Sequence, residues 1–166
     1  MVITSRQNES VKRVCSLKNK KFRSLYGEYF AEGEKLVYEA FLTGQNVLKI
    51  FVTEKEEAFA CELISRFSER YSETEITVVS ESVFAAISDE STPQGVLAVI
   101  KIPENPPIGR LTRCLLLDRL QDPSNVGAIL RLAAAAGVTC VFALSCADPF
   151  SPKALRASMG GAFRVT

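Results

Sequence analysis

The chain has 166 residues, 47% of them hydrophobic, and a formal net charge of +1. That is enough apolar material for a buried core and too much for a disordered chain, over a length that fits one ordinary domain or two small ones. The absence of histidine removes Ser-His-Asp and Cys-His nucleophile schemes and every His-ligated metal site. Cys15, Cys61, Cys114, Cys140 and Cys146 are odd in number and form no CxxC pair, which fits reduced thiols in a cytoplasmic protein, with no disulfide framework and no metal site. The N-terminus is polar at once, and no apolar run approaches about 20 residues, so neither a signal peptide nor a membrane span is expected.

Taken in chain order, residues 8–25 place Val11, Val14, Cys15, Leu17 and Leu25 near helical spacing among Lys and Arg, predicting a basic amphipathic helix. The first 26 residues hold seven cations against Glu9 alone, a local net charge of +6, so the remainder sums to −5. Tyr29 to Ala31 read as a short strand and Glu34 to Thr43 as a helix stopped by Gly44. Residues 47–54 read as a strand, 56–71 as helix, 76–80 as strand, 81–88 as a short helix and 95–102 as strand. Alternation of this kind predicts an α/β layer structure.

Three prolines and a glycine in "PENPPIGR" (103–110) break regular structure, and a domain boundary is expected there. The organisation expected is a first domain at 1–102, a linker at 103–111 and a second unit at 112–166. That unit reads as strand 113–118, helix near 124–136, strand 139–144, helix 152–158 and then "GAFRVT", which resembles the entry to a further strand. Leu115 to Leu117 form a continuous apolar run, as in a sheet covered on both faces. Two strands and one long helix are too few to cover such a sheet, so the second domain is expected to be incomplete.

Asp122-Pro123 is a strong helix start, with Asp as cap and Pro at the first helical position. Gly127 and Ala133 to Ala136 allow another backbone to approach closely. From Pro123 to Val138 the only charged residue is Arg131, and the next carboxylate after Asp122 is Asp148. A helix apolar on all sides is usually buried, and a buried arginine must be paired or must face a site. Two readings follow: Arg131 pairs with a distant carboxylate or snorkels to the surface, or it faces a phosphate or a developing oxyanion. There is no GxGxxG and no Walker A loop.

Four stretches in order, "FAEGEKLVYEA" (30–40), "TPQGVLAV" (92–99), "LDRLQDPSNVGAILRLAAAAGV" (117–138) and "SPKALRASMGGAFRV" (151–165), resemble the SpoU/TrmH branch of the SPOUT superfamily, the knotted RNA 2′-O-ribose methyltransferases. The resemblance implies an N-terminal substrate-binding domain similar to ribosomal protein L30e, followed by the first part of a Rossmann-like SPOUT domain. It implies methyl transfer from S-adenosylmethionine to a ribose 2′-OH of rRNA or tRNA, by a protein that works as a homodimer. Arg131 would help activate the hydroxyl and Asn125 would support the site, so both are the candidate catalytic residues. A nearby cation lowers the pKa of a hydroxyl and stabilises the alkoxide. The later motifs that form the trefoil knot and wrap the cofactor are missing; cofactor-binding residues are expected after Thr166. The 166 residues alone are therefore expected neither to bind S-adenosylmethionine nor to methylate RNA.

Lys18, Lys20, Lys21 and Arg23, with Phe22 among them, are candidate RNA contacts, against the alternative of a solvated helix end. Lys153 and Arg156, near Gly160-Gly161, are further RNA-binding candidates; the alternative is a basic helix with a glycine stop. Glu32 and Gly33 read as a cap and turn, and Gln94-Gly95 as a tight turn feeding a strand. The competing function is a non-catalytic L30e-like RNA-binding module.

Overall fold

The structure, a computed structural model, describes residues 2–104 and 113–166. It divides into two compact units, Met1–Ile102 and Pro103–Thr166. Most of the expected linker, residues 105–111, lies outside the described residues.

The first unit opens with α1 (Glu9–Ser16) and α2 (Lys20–Tyr26) where a single helix was expected. The break has a local cause. Asn19 leaves the helical conformation and its side chain accepts from the Lys21 N–H at 2.9 Å, capping α2 as Asn8 caps α1. Gly27, at φ 64°, then ends α2 and turns the chain into β1 (Glu28–Glu32). The chain continues through α3 (Glu34–Leu42), β2 (Val47–Val52), α4 (Glu57–Arg66), α5 (Ser68–Tyr71), β3 (Glu75–Val78), α6 (Glu81–Ile87) and β4 (Val96–Lys101). The expected helix at 56–71 is interrupted at Phe67, whose ring packs beside Tyr38 and Phe41.

The sheet order is β1-β4-β2-β3, with β4 antiparallel to both its neighbours and β2 parallel to β3. Val96 to Ile100 of β4 are all buried, as a central strand covered on both faces requires. Phe30, Phe51, Leu97 and Val99 pack with Val11, Val14 and Leu17 of the N-terminal segment and with Val83, Phe84 and Ile87 of α6. α3 and α4 lie against the sheet too, bringing Val37, Ala40, Phe41 and Leu63 into the core. Each fully buried side chain of this size contributes about 1.5–3 kcal/mol.

Two sequence motifs meet at the start of α3. Glu32 is buried and accepts from the Ser88 hydroxyl and from the Asp89 N–H at 2.9 Å. Gly33, at φ 93°, caps α3 without a side chain, and a Cβ there would lie 2.6 Å from Gln94 Oε1. That oxygen accepts from the Glu34 N–H at 3.2 Å, so Gln94 serves as a cap supplied from 60 residues away.

The second unit contains β5 (Cys114–Asp118), α7 (Pro123–Ala135), β6 (Cys140–Leu144) and α8 (Pro152–Ser158). β5 and β6 are parallel, with Cys114 opposite Cys140 and Asp118 opposite Leu144. Among the described residues this sheet is not covered on both faces, contrary to expectation: Leu116 is 62% and Leu144 53% exposed, whereas Leu117 is buried. "GAFRVT" forms a short 3₁₀ turn at Gly161–Phe163 before any strand. Only Thr166 pairs in strand fashion, donating to the Thr139 carbonyl at 3.1 Å and accepting from the Val141 N–H at 2.8 Å.

Arg23 is 3% exposed, and its guanidinium donates to the carbonyls of Leu17 and Lys18 at 2.7 and 2.9 Å, tying the end of α1 to α2. It is a structural staple, and its burial removes it from the surface where an RNA contact was expected. Arg23→Met should lower unfolding free energy by about 2–4 kcal/mol, because carbonyls bonded to a charged donor lose it inside the protein. Urea denaturation of the two proteins checks this.

Candidate functional site

The candidate catalytic residues lie on α7, in the second unit. The helix begins where the chain leaves β5. Asp122 caps it by accepting from the Ser124 N–H at 3.0 Å, and Pro123 occupies its first turn. The bond to Ser124 and, secondarily, Lys153 hold the Asp122 carboxyl below its ordinary pKa. The loops leaving the C-terminal ends of the parallel strands are joined to each other. Arg119 N–H donates to the Leu144 carbonyl at 2.9 Å, the Gln121 amide to the Ser145 carbonyl at 2.7 Å, and Ala147 N–H to the Leu120 carbonyl at 2.7 Å. Arg119 and Ser145 have left-handed backbones, at φ 55° and 51°. In parallel α/β sheets this end is where ligands bind.

α8 begins with Ser151 accepting from the Ala154 N–H at 3.3 Å and with Pro152 in its first turn. Lys153 Nζ reaches Asp122 Oδ1 at 3.3 Å, linking the starts of the two helices. One turn on, a Cβ at Gly127 would penetrate the Ala154 carbonyl and lie 2.8 Å from Ala157 Cβ. Further along, a Cβ at Gly161 would lie 2.6 Å from Arg131 Cα and 3.0 Å from Arg131 N. Two glycines thus allow the segment from α8 to the 3₁₀ turn to lie directly on the backbone of α7. Gly161, read from sequence as part of a helix stop, is the residue that touches the arginine; no sequence signal separated it from Gly160.

Arg131 is exposed, which corrects the expectation of an arginine inside a buried helix. Only one side of α7 is buried, through Val126, Gly127, Leu130 and Ala133; Leu132 beside the arginine is 67% exposed. Arg131 has no hydrogen bond or ion pair among the described residues, and the same holds for the exposed Asn125 in the first turn. The distant carboxylate of the alternative reading is therefore not found there, while the exposed side chain agrees with that reading's other half, an arginine that reaches the surface. The Lys153–Asp122 pair is a contact that sequence reading missed. Arg156 is half-buried and Ser158 fully buried, its hydroxyl donating to the Leu155 carbonyl at 2.8 Å.

In the first unit, Lys20 and Lys21 are exposed, as both the RNA-contact reading and a solvated helix end require. Lys18 is engaged: its ammonium donates to the carbonyls of Ala86 and Ser88 at 2.9 and 2.5 Å, closing the C-terminal end of α6. Among the described residues no three Cys, Asp or Glu side chains converge as metal ligands would, and no helix is long and apolar enough to cross a membrane.

Residues 8–98 match the family model described as MRM3-like substrate binding domain, and residues 112–166 match that of the SpoU rRNA Methylase family. The chain is 34% identical over 166 residues to the 23S rRNA (guanosine(2553)-2′-O)-methyltransferase RlmP of Bacillus subtilis, covering 98% of this chain and 62% of that protein. It is 36% identical over 167 residues to an uncharacterized tRNA/rRNA methyltransferase of Synechocystis sp., covering 95% of this chain and 58% of that protein. The fold superposes on the AdoMet-bound rRNA methyltransferase from Sinorhizobium meliloti with TM-score 0.84 and 28% identity, over 99% of this chain and 62% of that one. The chain thus spans about 60% of the length of these curated relatives.

Gly127→Ala tests the close helix contact. Alanine gains about 1 kcal/mol of helix propensity over glycine, but overpacking costs about 1–3 kcal/mol and more against a rigid carbonyl. The variant should melt below the parent in a thermal scan; an equal or higher melting temperature would mean α7 and α8 are not in contact there.

Proposed function

The chain belongs to the SpoU rRNA methylase family, with an MRM3-like substrate binding domain ahead of its methylase segment, and from that membership we propose that its whole protein transfers a methyl group from S-adenosylmethionine to a ribose 2′-OH of rRNA. Arg131 is the group that acts on the hydroxyl, and Asn125 supports the site. The observation that carries this reading is Arg131 itself: an exposed guanidinium with no protein partner among the described residues, on a helix whose backbone is held by Gly161. Its planar donors suit a hydroxyl oxygen that is becoming an alkoxide, and a fixed cation there favours the charged form. The 2′-O specificity of the Bacillus relative and the AdoMet in the Sinorhizobium structure support the same reaction class.

S-adenosylmethionine would supply the methyl group. Residues 113–166 present the β5–β6 strands with Leu116 and Leu144 exposed. Lys20 and Lys21 of the first unit contact the RNA backbone, and so do Lys153 and Arg156 of the second; Lys18 is committed mainly to α6. A homodimeric state of the whole protein and a cytoplasmic location complete the reading, with tRNA the alternative substrate to rRNA. The apolar exposed side of α7, Leu132 above all, supports the packing of another element of the whole protein there.

The full-length protein, given labelled S-adenosylmethionine and unmodified rRNA, should transfer label to a ribose 2′-O. Arg131→Ala should lower kcat by about 10²–10³, as removal of one oxyanion donor does, with little change in KM for RNA. An Arg131→Ala protein with undiminished kcat would overturn the assignment.

A further inference from the structure

α1 and α2 bring together a set of planar groups that neither the core nor the catalytic residues use. Tyr26, the last residue of α2, is 37% exposed, and Leu25 beside it 65%. The Arg13 guanidinium lies 4.6 Å from the Tyr26 ring centroid. Phe22, one turn earlier on α2, stacks on Tyr26 with centroids 6.0 Å apart and an interplanar angle of 26°. Lys21 Nζ sits 5.9 Å from the Phe22 centroid. Arg13 is held in place by Glu28, which accepts from its Nε at 3.0 Å and its Nη2 at 2.6 Å, yet the side chain remains 52% exposed. Tyr26 and Arg13 line an open groove of about 470 Å³ with Glu9, Ser10, Lys12 and Ser16.

Tyr26 keeps 37% of its surface exposed beside a guanidinium that Glu28 already fixes. The same arrangement is a ready surface for a flat, polarisable group. RNA bases present such faces only when unpaired, and proteins take them up on aromatic rings and on guanidinium planes. Lys12, Lys20 and Lys21 are exposed on the same two helices and carry the positive charge that a backbone entering the groove needs.

Resting on the RNA reading above, we propose that Arg13, Tyr26 and Phe22 form a stacking platform that takes up an unpaired nucleotide of the substrate RNA, so that this surface selects single-stranded or looped RNA over duplex. Lysines alone would favour the duplex, whose phosphate charge is denser, so a preference for the single strand needs another group. The platform is what discriminates.

The 166 residues hold no tryptophan, so within them Tyr26→Trp places a single indole, at the platform. With a 12-nucleotide oligouridylate and a blunt 12-base-pair duplex as probes, the single strand should quench that indole and the duplex should not. Tyr26→Leu should weaken single-strand binding between about 5-fold and about 150-fold, the range for losing one stacked base, while leaving duplex binding and the melting temperature unchanged. Tyr26→Phe should retain the affinity. Equal binding of both probes, untouched by Tyr26→Leu, would overturn the platform and leave the RNA interface standing. Failure of both RNAs to bind, at low salt, would overturn the RNA reading and this inference with it.

Discussion

The catalytic reading depends on one contact, the laying of the α8 segment directly on the backbone of α7. Side chains normally keep helix axes 8–10 Å apart. Here Gly127 meets the Ala154 carbonyl and Gly161 meets the main chain of Arg131, so the guanidinium projects from a stretch of helix whose position is set by backbone contact rather than by the arginine's own bonds. That matters because Arg131 makes none among the described residues. A long side chain that is free at its head and fixed at its root can meet a ligand with its donors unspent. The Lys153–Asp122 pair and the Ser124 bond to Asp122 lock the starts of the two helices in the same way.

The first unit answers a different requirement. Its sheet is covered on both faces, its glycine turns are capped, and its strongest positive charge is concentrated in α1 and α2. Within that charge the roles divide by burial. Arg23 is inside, bonded to carbonyls; Lys18 closes α6; Lys20 and Lys21 face solvent. Four cations within six residues thus divide between holding the fold and facing solvent.

Much of this organisation was legible in the sequence because it follows from local rules. Asp-Pro announced α7, Gly44 marked a helix end, and alternating β-rich and helix-periodic runs placed the strands within a residue or two. What was not legible depends on distance along the chain. Gln94 capping α3, Glu32 holding Ser88 and Asp89, and Gly161 touching Arg131 each join residues that no window of sequence compares. The burial of Arg23 was hidden for the same reason, and so was the single covered face of α7, since four alanines in a row look alike whether they meet protein or solvent. Asn19 was a local signal that went unread: a capping residue inside a basic periodic run divides it into two helices.

The most direct test of the account is Gly161→Ala in the full-length protein, assayed by single-turnover methyl transfer to rRNA alongside RNA affinity. A methyl group pressed against the Arg131 backbone should displace the guanidinium, so the transfer rate should fall by at least about tenfold, as it does when small misplacements disturb a reacting geometry, while RNA affinity stays the same. An unchanged rate in a folded Gly161→Ala protein would contradict the claim that backbone contact at Gly161 positions Arg131 for the reaction.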